Sequence, residues 1–315
     1  MACDPIPIEV SEGEAGERHD RFLSGRLGVS RARVRHLLEF GRVSIARGPT
    51  LALADKARRT SPGDLLVVVG PARAEDERPR PRPDRPLSVR AEGEGWIGVD
   101  KPSGCGVHPL HPAQEDTVLN ALVARHPEIV GIGEGGLRSG VVHRLDVDTT
   151  GTLLFATDEA VWRRLRGAFS AHRVEKRYRA LVRGRLEAPL RVELPLAVKR
   201  HHPAHVEVVE PGEGRLCRQR VRPRHLFETA TEVEIELETG FLHQIRASLA
   251  HLGHPVLGDA EYGGEADRVV PSAGRPLLHA ARLAVDEIAF EAPLPADFRA
   301  ALAELGLPVA EDGGD

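Results

Sequence analysis

Between Val141 and Ala156 the chain reads Val-Val-His-Arg-Leu-Asp-Val-Asp-Thr-Thr-Gly-Thr-Leu-Leu-Phe-Ala. An imidazole (His143), a guanidinium (Arg144) and a carboxylate (Asp146) therefore fall within four residues, between two apolar runs. The run after Gly151 reads as a buried strand, and the Thr/Gly knot before it as the entering loop. Asp146 then lies at the rim of a core, where burial and a neighbouring cation set its protonation state. Two readings follow: a reactive carboxylate, or an Asp whose side-chain oxygen caps a turn. Tyr178, one of two tyrosines in the chain, falls in the alternating stretch Glu175–Val182, where a sheet aromatic is the plain reading. Arg246 lies early in a helix marked by Ile245, Leu249 and Leu252 and ended by Gly253 and Pro255.

Other chemistries fit the sequence less well. His108 and His111 are three apart, but Pro109 and Pro112 oppose a helix presenting both to a metal. A metal-dependent hydrolase built on Asp146, Asp148 and nearby His would need further ligands at matched spacing. The Gly-rich segment 131–140 lacks the spacing and the Lys of a phosphate-binding P-loop. Cys3, Cys105 and Cys217 are few and scattered, which argues against a disulfide framework or a Cys zinc site and fits a reducing cytoplasm.

The elements that must position these residues divide the chain. At 315 residues, 41% hydrophobic and 29% charged, it has material for two globular domains, and no apolar run approaches the ~18 residues of a membrane span. Residues 1–17 read as a disordered acidic lead-in without the apolar region of a signal peptide. The net charge is −4, yet from Arg18 to Gly70 eleven Lys and Arg face four acids, a basic unit that suggests a polyanion partner. Within it Ser30 is an N-cap for a helix over Arg31–Phe40, closed by Gly41, with Val34, Leu37 and Leu38 inward. Arg31 and Arg35 share its outer face, a like-charge pair that phosphates would relieve. Residues 71–86 mix Arg, Pro and acids and read as a semi-extended linker. The alternating hydrophobic pattern resumes at Leu87 and continues to residue 305, before an acidic tail over 306–315.

Several blocks resemble the RluA-type RNA pseudouridine synthases. His143-Arg144-Leu145-Asp146, two residues, then Thr149-Thr150-Gly151 and a strand is similar to the family signature, with Thr150 where Ser is usual. Glu175-Lys176-Arg177-Tyr178-Arg179-Ala180 resembles its second motif; Thr239-Gly240 with His243-Gln244-Ile245-Arg246 and Gly253–Asp259 its third; Pro276–Ala280 its last. Asp100 stands for the usual Asn in Asp100-Lys101-Pro102, and Phe241 for a usual basic residue. Residues 18–70 look like the S4 RNA-binding module, apart from His19 for a usual Leu and Ala46-Arg47-Gly48 for a common Val-Asn-Gly turn.

The resemblance implies an α+β protein: a mixed, largely antiparallel sheet with flanking helices over 87–305, behind a small α/β S4-like domain. It implies isomerisation of a uridine in RNA, most closely in large-subunit ribosomal RNA with tRNA as the other substrate class among relatives, by a cytoplasmic monomer with no metal or other cofactor. Asp146 would attack sugar or base, or promote a glycal. Arg246 would hold it ionised, and Tyr178 would stack on the uracil and handle a proton. Leu278, with Leu277, would form an apolar wall. Arg144 would fill the stack vacated by a flipped base, or serve in a salt bridge. His143 and Thr150 would shape the loop at the substrate, and Arg31 and Arg35 would meet RNA phosphates. The competing reading is a catalytically silent RNA-binding or ribosome-assembly protein.

Overall fold

The computed structural model describes residues 5–47, 50–55, 58–70, 73, 77–201, 203–263 and 269–307. Lys56, the first four residues of the expected lead-in and 308–315 of the expected tail lie outside them. The N-terminal unit contains β1 (Ile6–Glu9), α1 (His19–Leu27), α2 (Arg31–Glu39), β2 (Val43–Arg47), β3 (Thr50–Leu53) and β4 (Leu65–Val68). Its antiparallel sheet runs β1-β4-β2-β3. Ser30 caps α2 by accepting the Arg33 N–H at 3.2 Å, and Val34, Leu37 and Leu38 bury against Phe22 and Leu23 of α1.

Three expectations change here. Residues 6–9 are not a loose lead-in: β1 pairs with β4, and Ile8 enters the core of this unit. Pro7 fits because β1 is an edge strand. The Arg31–Arg35 pair is not left unrelieved, since buried Asp20 takes Arg31 Nη2 at 3.0 Å and Arg35 Nε at 3.1 Å. The segment 77–86 lacks helix and strand but is anchored at both sides. Glu77 is buried between Arg33 and Arg42, while the Arg82 N–H meets Asn120 O at 2.9 Å.

The larger unit carries β5 (Ser88–Gly93), β6 (Trp96–Lys101), α3 (Val118–Arg125), β7 (Thr150–Ala156), α4 (Glu159–Ser170), β8 (Glu175–Arg183), β9 (Leu190–His201), β10 (Ala204–Val208), β11 (Arg215–Leu226), β12 (Ala230–Leu237), α5 (Gln244–His251), β13 (Leu278–Val285), β14 (Ile288–Glu291) and α6 (Ala296–Glu304). Ten strands form one sheet in the order β10-β9-β11-β12-β8-β13-β7-β6-β5, with β14 on β13. Among the described strands of this sheet only the β13–β7 pairing is parallel. The sheet is thus mixed and largely antiparallel, with helices packed on it, as the α+β expectation has it. β7 is buried along its whole length, which suits its apolar residues; each large one stabilises the fold by about 2 kcal/mol.

That parallel pairing places the site. Ala280 lies opposite Gly151 in β13 and β7, and opposite Tyr178 in β13 and β8. A Cβ on Gly151 would lie 2.1 Å from Ala280 O, and its φ is +110°. Only glycine lets the two strands approach here. The loop bearing Asp146 is thereby delivered beside Tyr178 and Leu278, near the middle of the sheet.

Candidate active site

Asp146 lies just before β7. The turn after it is closed by the backbone: Asp146 O accepts the Thr149 N–H at 3.1 Å. The carboxylate takes no part in that turn, so the capping role weighed from sequence is filled by the main chain. Two buried cations clamp the same loop. Lys101 Nζ, at the end of β6, donates to Val147 O at 2.6 Å, Thr149 O at 3.0 Å and Pro102 O at 2.8 Å. Burial pushes this ammonium down to about 8. Arg275 donates to Asp148 O at 3.0 Å while its fork grips Asp297 at the start of α6, at 2.6 and 3.0 Å.

The Asp146 side chain is one-fifth exposed, and its nearest cation is Arg246, with Nη1 at 3.7 Å. Arg246 is primarily bound elsewhere. Its Nε and Nη2 make a bidentate pair with buried Asp259, at 2.6 and 2.8 Å, which fixes the guanidinium plane and leaves Nη1 for Asp146. The Arg246 guanidinium also stands 5.0 Å from the centre of the Tyr262 ring. The Tyr262 hydroxyl accepts the Val206 N–H at 2.9 Å and lies within hydrogen-bond distance of His243 Nδ1, at 2.9 Å. His243 is held in the left-handed region at φ +51°, at the head of α5. Burial lowers its pKa and so favours the neutral imidazole.

Asp146, His243 and Arg246 line a cavity of about 430 Å³, with Asp259 and Tyr262 behind them. Tyr178 and Leu278 contribute its buried aromatic and aliphatic wall. Burial, then the charge of Asp146, pushes the Tyr178 phenol well above its ordinary value, so it stays protonated. Among the described residues its hydroxyl has no hydrogen-bond partner. Arg144 also lines the cavity, is exposed, and has no carboxylate partner among the described residues, which leaves the salt-bridge alternative without support. His143 accepts the Leu154 N–H through Nε2 at 2.9 Å and stacks on Phe169 at 4.6 Å. Burial drives its pKa down to about 3, which keeps the ring neutral. Among the described residues Asp146 is the cavity's only acidic one, against Arg144, Arg166, Lys176, Arg215 and Arg246.

Four expected residues lie elsewhere. Thr150 is buried, its hydroxyl 2.9 Å from His279 Nδ1, and it does not line the cavity. Leu277 points away into the cluster around Phe298, because alternate residues face opposite sides of the sheet. Arg31 and Arg35 belong to the N-terminal unit and do not line it. His108 bonds Pro109 O at 2.9 Å and His111 stacks on Phe40, so the two are separately engaged. Among the described residues no three His, Cys, Asp or Glu gather as a metal site.

Asp259, Tyr262, Lys101 and Arg275 received no role from sequence. Asp259 and Lys101 sit inside recognised blocks, but the signal that they matter is a contact made across more than one element.

A cationic cavity with a single carboxylate among its described lining residues suits an anionic substrate. Residues 95–251 match the family described as RNA pseudouridylate synthase. An uncharacterized RNA pseudouridine synthase from Chloroflexus aurantiacus is 35% identical, covering 95% of this chain and 93% of its own. A ribosomal large subunit pseudouridine synthase D from Zymomonas mobilis is 31% identical, covering 93% and 95%, and one from Escherichia coli O157:H7 is 31% identical, covering 93% and 91%. The human RNA pseudouridylate synthase domain containing 4 structure shares the fold, with a TM-score of 0.56 at 22% identity over 71% of this chain and 95% of that one. The chain belongs to the RluA-type RNA pseudouridine synthases, and it is an isomerase acting on RNA.

Proposed function

We propose that this enzyme converts specific uridines of large-subunit ribosomal RNA to pseudouridine, through Asp146 and without a cofactor. The observation that carries the reading is Asp146 itself: one carboxylate in a cationic cavity, outside its own turn, with Arg246 Nη1 at 3.7 Å. The relatives named ribosomal large subunit pseudouridine synthase D support the choice of RNA.

In the reaction the N1–C1′ bond breaks, the uracil turns, and C5 bonds to C1′. C5 loses its proton and N1 gains one. Asp146 serves as nucleophile on sugar or base, or promotes a glycal, with Arg246 orienting it and offsetting its charge. Tyr178, kept neutral, stacks on the uracil and acts as a hydrogen-bond donor; its raised pKa disfavours a role as base. Leu278 closes the apolar side. A uridine in a stem must be flipped out, and unpaired Arg144 fills the gap it leaves. His143 holds the loop rather than reacting.

The N-terminal unit, with its paired helices and basic surface, acts as an S4-type RNA-binding module. Arg31 and Arg35 remain about half exposed beside Asp20 and present their free edges to phosphates. The enzyme works as a cytoplasmic monomer. Among the described residues no helix is long and apolar enough to cross a membrane.

The test maps pseudouridine in cellular RNA by carbodiimide adducts and reverse-transcription stops. Strains with the protein, without it, and with Asp146→Asn are compared. Sites in large-subunit ribosomal RNA lost from both altered strains support the proposal. Survival of every such site in the deletion strain sinks it.

A further inference from the structure

The cavity holds more positive charge than Asp146 can use. Most arginines in this protein find a carboxylate; Arg179, Arg246, Arg275 and Arg282 are examples. Lys176, Arg166 and Arg215 line the cavity, yet none has a carboxylate partner among the described residues. Arg166 donates to Val142 O at 3.0 Å. Lys176 donates only to Thr239 O, at a long 3.3 Å, which leaves an ammonium with three donors largely unsatisfied. His172 lies on the same wall, and the neighbouring charges of Lys176, Arg215 and Arg218 add to burial in lowering its pKa. Burial likewise pushes Lys176 down to about 8. A cluster of cations that repel one another around an open space calls for an anion.

Its position says which anion. Lys176 and Tyr178 are two apart on β8 and so point to the same face, roughly 6.6 Å from each other along the strand. Lys176 also borders a second, adjoining pocket that shares His172 and Leu237 with the first. If a uracil rests on Tyr178, the backbone of the next nucleotide leaves the cavity over Lys176. The three acids of the adjoining pocket each have an arginine partner: Glu175 pairs with Arg177 at 2.8 Å, and Glu236 and Glu238 with Arg220 at 3.8 and 3.0 Å.

We infer that Lys176, backed by Arg215 and His172, forms a subsite for the RNA phosphodiester next to the target uridine. The inference rests on the reading of Tyr178 as the uracil platform, and it makes Lys176 a residue that positions substrate without taking part in bond exchange.

The test compares the full-length protein with Lys176→Gln and Lys176→Arg. Binding to large-subunit ribosomal RNA is titrated across a salt series, and turnover is followed on the same RNA. The expected result for Lys176→Gln is a KM raised by about tenfold, with kcat within about threefold of the parent. The slope of log affinity against log salt should become shallower by roughly 0.7 to 0.9, the loss of one phosphate contact. Lys176→Arg should keep both parent values. An unchanged salt slope for Lys176→Gln, or a fall in kcat at constant KM, would overturn the subsite. If the parent protein forms no pseudouridine, the proposed function fails instead, while the salt slopes, which need only binding, still decide the role of Lys176.

Discussion

Two aspartates mark the difference between holding a fold and doing chemistry. Asp20, in the N-terminal unit, is fully enclosed and receives Arg18 at 3.1 Å, Arg31 at 3.0 Å and Arg35 at 3.1 Å. Burial alone would raise its pKa, but the three arginine hydrogen bonds outweigh that and hold it far below the usual carboxylate range. Asp146, one-fifth exposed at a cavity, has a single guanidinium nitrogen at 3.7 Å, from an arginine already committed to Asp259. A saturated carboxylate has no lone pair to spare. An under-coordinated one, held on a rigid loop and facing an empty space, has. The protein spends its stronger pairing on Asp259, which reacts with nothing but fixes Arg246.

This contrast can be broken at either aspartate. The largest effect is expected from Asp146→Asn: no pseudouridine formed, with thermal unfolding within about 1 °C of the parent, since among the described residues no hydrogen bond uses that side chain. Next comes Asp259→Asn, which frees Arg246 to swing. It should lower kcat/KM by about tenfold to a hundredfold, the worth of a charge-assisted hydrogen bond, in a steady-state assay. Asp20→Asn should invert the pattern. It should cost about 3 kcal/mol of N-terminal unit stability, at the low end for a buried ion pair because its arginines are half exposed, and leave kcat unchanged. Denaturant melts alongside turnover would read both.

The smallest effect concerns His279, which fixes Thr150 beneath the Asp146 loop. Its Nε2–H donates to Ala292 O at 3.1 Å and its Nδ1 lies 2.9 Å from Thr150 Oγ1, an arrangement that the neutral ring fits. Burial pushes its pKa from 6.5 down to about 4. The unfolded chain therefore binds a proton that the folded one refuses. This contribution to stability is complete above pH 6.5, falls away as the pH drops from 6.5 to about 4, and changes no further below that. Melting at pH 5 should show about 2 kcal/mol less loss for His279→Gln than for the parent, relative to pH 7.

The reach of the sequence differed between these regions for physical reasons. The stretch around Asp146 was readable because strand, loop and reactive group lie within sixteen consecutive residues, so local pattern carries it. α4 was legible for the same reason, with Val161, Leu165 and Phe169 at helical spacing. Tyr178 and Arg246 were reached through motif resemblance, since neither spacing nor composition brings them to Asp146. Asp259, Lys101 and Arg275 act through contacts between distant elements and left no local mark. β1 went unread because four residues with a Pro carry little periodicity; its pairing with β4 is non-local. The long strands β9 and β11 alternate charged with apolar residues such as Leu194, Leu196, Cys217 and Val221, a pattern that signals a half-exposed sheet once the pairing is known.

The most direct test of the central claim uses large-subunit ribosomal RNA transcribed with uridine tritiated at C5, since forming the new bond expels that hydrogen. Purified parent protein should release tritium to water in proportion to pseudouridine formed, and Asp146→Asn should release none while binding the RNA equally well. Release by Asp146→Asn at a rate near the parent's would show that this carboxylate is not the reactive group, and the contrast with Asp20 would lose its meaning.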